Sequence, residues 1–112
     1  MANLASLLDT LETELRRLSL WSDVPPSPEA LASTAPFAVD QLTLPQWLQW
    51  IYIQRLRALL DADRPLPHGA LVKPYADQYF DQQPQLAAQK LLEVIDRIDA
   101  FLGRPAQYAQ GA

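Results

Sequence analysis

Residues 43–60 read TLPQWLQWIYIQRLRALL, and the fold turns on whether this stretch is a helix and on which of its sides is buried. Thr43 stands three residues before Gln46, the spacing of a capping box, in which each side chain satisfies a backbone N–H that the first helical turn leaves free. Leu42 and Trp47 flank that start as a hydrophobic staple, and Pro45 falls in the first turn, where its missing N–H costs no hydrogen bond. Advancing about 100° per residue from Leu44, the residues Leu48, Tyr52, Leu56, Leu59 and Leu60 fall on one broad apolar arc, with Trp47, Ile51 and Ala58 on a second flank. The expectation is a helix running to about Ala62, apolar nearly all round and therefore the buried spine of the protein, with Leu56 in its core.

The only polar strip of this helix holds Gln46, Gln54, Arg57 and Asp61, and Trp50 falls inside it. Trp47 reads as packing, on the flank that the preceding segment must cover. Trp50 has two readings: that segment covers it through Phe37 or Val39, or it is an exposed anchor of the residue type that dominates interfaces. Gln49 and Arg55 project onto the apolar side. A buried arginine without a partner is costly, so Arg55 either reaches a helix edge or pairs with a carboxylate, Asp40 and Asp23 being nearest in the chain. Recognition of an anion is the alternative.

Outward from the spine, Leu4, Leu7, Leu8, Leu11, Leu15 and Leu18 recur at spacings of three and four, which makes a first amphipathic helix with Asp9, Glu12, Glu14, Arg16 and Arg17 toward water. Glu12 and Arg16 stand four apart with the acid first, the favourable order. Pro25, Pro26 and Pro28 then stop any helix, while Ser27 as N-cap ahead of Pro28 allows a short one to about Ser33, ended by Pro36. Leu31, Pro36, Phe37, Val39 and Leu42 are too apolar for a disordered linker, so this crossing is expected to pack on the helices. Downstream, Pro74 opens a short helix carrying Tyr75, Tyr79 and Phe80. A last long helix from about Pro84 presents Leu91, Leu92, Ile95, Ile98 and Leu102, with Gly103 and Pro105 as its stop. The predicted fold is all-α: a compact bundle of three long helices plus one or two short ones, a single domain over residues 1–105 with a frayed tail at 106–112.

Composition narrows the function classes. The 112 residues include 13 acids against 9 Lys and Arg, a net charge of −4, which disfavours direct nucleic-acid binding because cationic neutralisation of phosphates supplies most non-specific affinity. Cysteine is absent and His68 is the single histidine, so thiolate chemistry and imidazole metal sites are excluded. Asp61, Asp63, Asp77 and Asp81 lack the spacing of a calcium loop, and only three glycines are present, with no phosphate-cradling loop. Asp96 and Asp99 share one helix face and read as solvated. No cofactor is expected. The start lacks the basic and apolar blocks of a secretion signal, and no apolar run approaches a membrane span, so the expected location is the cytoplasm.

STAPFAVDQLTLPQWLQWIYIQRLRALLD, followed by RPLPHGALVKPY, resembles the YqcC-like family of small bacterial proteins, a domain family of unknown function. The proline-rich start of the central helix, the WLQW run with Ile53 and Arg55 after it, Pro65 to Pro67, and the Pro74–Tyr75 pair carry the likeness. The resemblance implies a compact helical bundle with no assigned activity. It also implies a gene neighbourhood shared, in some members, with a tRNA pseudouridine synthase, whose aspartate chemistry belongs to a mixed α/β fold unlike this chain. The leading function is therefore a non-catalytic accessory module that binds another protein through Trp50, with Gln54 and Arg57 beside it. The alternative is a small-ligand or anion pocket near Gln49, Arg55 and Tyr75.

Overall fold

A computed structural model describes residues 3–67 and 71–103; His68 and the tail at 106–112 lie outside them. The first helix, α1 (Leu4–Arg17), starts where the Asn3 side chain accepts the Ser6 N–H at 2.8 Å. Its leucine stripe is buried as the spacing demands, through Leu4, Leu7, Leu8, Leu11 and Leu15. The crossing carries α2 (Pro28–Leu31), capped by the Ser27 hydroxyl, and a single 3₁₀ turn (Pro36–Ala38). The spine is one continuous helical rod in three parts: α3 (Leu44–Trp47), a π-helical turn (Leu48–Tyr52) and α4 (Ile53–Asp61). The capping box is present in both directions between Thr43 and Gln46. Two further helices follow, α5 (Lys73–Asp81) and α6 (Gln89–Leu102). No strand occurs among the described residues.

One core joins these elements. Leu8, Leu11 and Leu15 of α1, Leu44, Leu48, Ile53 and Leu56 of the rod, and Leu91, Ile95 and Ile98 of α6 are almost wholly removed from water. α1 packs on both α6 and α4, and α5 packs on α6. Each fully buried Leu or Ile stabilises the fold by about 1.5–3 kcal/mol relative to exposure, so the ten together dominate the charged pairs on the surface. A smaller cluster of Ala30, Ala38 and Leu42 lies under the crossing, with Trp47 and Ile51 packed against it, which joins Leu42 to Trp47 as the staple requires.

Four expectations need correction. The last helix begins at Gln89, not near Pro84, because the Ala87 carbonyl that would extend it accepts instead from the Arg17 guanidinium at 2.9 Å. Glu14 does not face water: it is buried, with Arg17 bonded over it at 2.9 Å. The crossing packs only in part, for Leu42 is buried while Leu31, Val39 and Val24 remain 38%, 55% and 75% exposed. Asp99 is only 4% exposed rather than solvated. Both of its oxygens accept the Val72 N–H at 3.1 Å, and one accepts the Lys73 N–H at 2.8 Å. Val72 precedes α5 without a capping side chain of its own, so a carboxylate from α6 caps the start of α5 in its place.

Candidate interaction surface

The π turn decides where the rod's polar residues point. The Ile53 N–H bonds to the Leu48 carbonyl, five residues back rather than four, so the turn holds one extra residue and everything after it is displaced by about 100° from a regular helix. That is why Ile53 is buried although uniform spacing left it off the apolar arc. It is also why Arg55, projected inward from the sequence, is exposed and pairs with neither Asp40 nor Asp23. Asp40 accepts the Ser33 hydroxyl at 2.6 Å instead. Within the turn, the Gln54 amide donates to the Gln49 carbonyl at 3.1 Å, serving an acceptor beside the altered ladder.

Gln49 is 2% exposed and its amide is fully used: it accepts the Ser22 N–H at 2.8 Å and donates to the Ser22 carbonyl at 2.6 Å. This two-way clamp fixes the start of the crossing to the rod. Tyr75 stacks on Phe37 with ring centroids 4.6 Å apart, Phe37 meets Trp47 edge-on at 4.9 Å, and Trp47 stacks on Tyr52 at 5.0 Å. Phe37 and the following Ala38 both adopt positive φ, 56° and 49°. Such backbone costs about 1–2 kcal/mol per non-glycine residue, and the ring contacts on both sides of Phe37 offset it. The expected pocket of Gln49, Arg55 and Tyr75 therefore is not formed: Gln49 clamps Ser22, Tyr75 belongs to the aromatic ladder, and Arg55 stands on an outer rim.

Arg57 also leaves the open strip assigned to it. Its guanidinium reaches α1, bonding Glu12 at 2.8 Å and Asp9 at 2.9 Å, while Arg16 bonds Glu12 at 2.9 Å from within α1. Burial pushes the Glu12 carboxyl up, but the hydrogen bonds from Arg57 and Arg16 outweigh it and hold the group below the usual range. Tyr52 is buried with its hydroxyl unpartnered among the described residues, and burial, with the Asp99 charge added, pushes its ionisation far up. Asp99 is itself raised, since burial outweighs the bonds from Lys73 and Val72. Among the described residues no three His, Asp or Glu side chains cluster as a metal site would, and no helix is long and apolar enough to cross a membrane.

The surface that remains is an open groove of about 610 Å³ on the outer side of the rod. Trp50, Ile51 and Leu59 form its apolar floor, Leu31 of α2 stands across from them, and Gln54, Arg55 and Arg64 supply its polar groups. Trp50 is half-buried, neither covered by Phe37, which is engaged elsewhere, nor fully open. Its indole N–H is hidden and has no partner among the described residues. Of the residues singled out from the sequence, the groove brings together Trp50, Gln54 and Arg55. Leu31, Leu59 and Arg64 were missed, because they come from outside the stretch that periodicity resolved or from the far side of its phase shift.

Residues 3–101 match the DUF446 family, whose description reads tRNA pseudouridine synthase C. The chain belongs to the DUF446 family. Uncharacterized protein YqcC from Escherichia coli strain K12 is 35% identical over 100 residues, 88% of this chain and 90% of that one. An uncharacterized protein of Haemophilus influenzae is 35% identical over 85 residues, 76% and 78% of the respective chains. A solution NMR structure of Escherichia coli YqcC has the same fold, with a TM-score of 0.74 at 33% identity, covering 88% of this chain and 83% of its own. The likeness to YqcC-like proteins read from the central motif is thus the family relationship, and the DUF446 bundle is all-helical in both. A protein of Pectobacterium carotovorum named tRNA pseudouridine synthase C is 45% identical over 64 residues, which are 57% of this chain but only 17% of that protein.

Proposed function

We propose that this DUF446 chain is a non-catalytic accessory module that binds a tRNA pseudouridine synthase through the Trp50 groove. The observation that carries the reading is the groove itself: a half-buried tryptophan with aliphatic neighbours and arginines at its edge, the composition of an interface centre rather than of a resting surface. The polar side chains that chemistry would need are already committed to structure, Gln49 to Ser22, Arg57 to Asp9 and Glu12, and Asp99 to the start of α5. The similarity to a small portion of a protein named tRNA pseudouridine synthase C supports that enzyme as the partner, since a segment carried on the same polypeptide is held at high effective concentration beside it.

The test is capture of purified tRNA pseudouridine synthase C from the same genome by the immobilised chain, followed by calorimetry. Wild type is expected to bind at micromolar affinity or better. Trp50→Ala is expected to lose 2 kcal/mol or more of binding, roughly the loss at an interface hot spot, with the melting temperature held. A synthase that ignores the chain, or binds it equally without Trp50, refutes the proposal.

A further inference from the structure

Resting on that reading, we infer that the occupant of the Trp50 groove is an amphipathic helix of the partner whose apolar face is bordered by Asp and Glu. Three features of the groove select it. The first is length and direction: the lining runs along one side of the rod from Trp50 to Ala62, about 18 Å at helical rise, a span suited to some three turns of a helix lying alongside. The second is depth. Ala58 and Ala62, four residues apart, line the groove, so a second backbone can approach closely there, while Leu31 and Trp50 offer the side walls between which spaced aliphatic anchors insert.

The third is charge. In a chain of net charge −4, the groove is lined by two arginines and by no carboxylate. Arg55 and Arg64 are exposed, and neither forms an ion pair among the described residues. This sets them apart from Arg16, Arg17 and Arg57, all of which are paired. A partner bearing carboxylates at these two edges gains attraction that a basic one turns into repulsion. The indole N–H of Trp50, unpartnered in the free chain, breaks no bond when it turns to an acceptor on the incoming helix.

The experiment uses three synthetic helical peptides with the same Leu and Ile anchors and with Glu, Gln or Lys at the flanking positions, each titrated into the full chain. Tryptophan fluorescence and backbone amide shifts are the readouts. The Glu peptide is expected to bind tightest, to move the signals of residues 50–62 and Leu31, and to weaken as salt rises. Because both arginines are exposed, the double variant Arg55→Glu, Arg64→Glu keeps the wild-type melt, lowers affinity for the Glu peptide by about tenfold or more, and gains affinity for the Lys peptide. Equal binding of all three peptides, no binding of the Glu peptide, or shifts confined elsewhere overturns the inference. So does displacement of the Glu peptide by tRNA, or self-association of the chain through the same residues. Synthase capture that persists unchanged in the double variant defeats the acidic-helix assignment while leaving the accessory role standing. Glu-peptide binding without synthase capture does the reverse.

Discussion

Replacing Asp99 separates what a cap does from what a charge does. In Asp99→Ala the N–H groups of Val72 and Lys73 lose their acceptor, and Val72 is 1% exposed, so water does not readily take its place. An unsatisfied buried N–H costs about 1–3 kcal/mol, and Lys73 is only half-buried, so the expected total is roughly 2–4 kcal/mol, a large share of a small domain's stability. Asp99→Asn keeps a carbonyl oxygen as acceptor and removes the buried charge, and should cost about 1 kcal/mol or less at neutral pH. The two variants also differ in how they answer acid. Burial raises the Asp99 carboxyl above its ordinary value despite the bonds from Lys73 and Val72, so the folded state holds that proton more tightly than the unfolded chain. Its contribution is full below the unfolded value and is lost as pH rises through the folded one. Wild type should therefore gain stability relative to Asp99→Asn as pH falls from neutral into the carboxylate range. Urea melts of the three proteins across that range, with amide exchange on α5, measure both effects. Equal losses for Ala and Asn, or a wild-type advantage that shrinks in acid, would refute the reasoning.

Leu56→Ala, at a residue 2% exposed in the rod, should cost about 2–5 kcal/mol; an unchanged denaturation midpoint would remove the rod from the core. Trp47→Ala breaks contacts with Phe37 and Tyr52 and should cost about 3–5 kcal/mol, whereas Trp50→Ala should melt near wild type, so equal and severe losses in thermal melts would make both tryptophans structural. Gln49→Ala should free the crossing at Ser22 and cost about 1–3 kcal/mol, seen as faster amide exchange at Ser22 with the α6 amides unaffected. Because acids outnumber bases, binding of tRNA at physiological salt should be weaker than micromolar, and a submicromolar affinity by filter binding would contradict this.

Where local rules act over one turn, the sequence was readable. Thr43 and Gln46 announce the rod's start because a capping box needs no distant partner, and the leucines of α1 announce its buried side. Residues whose role depends on another helix were not. Asp99 and Asp96 look alike on the chain, yet one caps α5 and the other is exposed; only the placement of Val72 tells them apart. Arg57 seemed free until α1 brought Asp9 and Glu12 to it. Arg55 was misplaced for a different reason: a period of 3.6 contains no signal for the turn at which that period changes. The Trp50 groove shares both difficulties, being built from α2 and from residues beyond the π turn.

The π turn also makes the rod a phase-setting part, comparable to a gear cut with one additional tooth. Deleting a single residue between Leu48 and Tyr52 would let the segment close as ordinary helix, with every hydrogen bond of the rod intact or improved. Everything downstream would then rotate by about 100°, carrying Leu56 out of the core and Arg57 away from Glu12. Such a deletion would leave helical content nearly untouched while abolishing the tertiary structure, a damage pattern that no one side-chain replacement in the rod can imitate. The same logic restricts relatives of this chain: length changes are tolerated in the crossing, but within the rod the count of residues is itself a structural requirement.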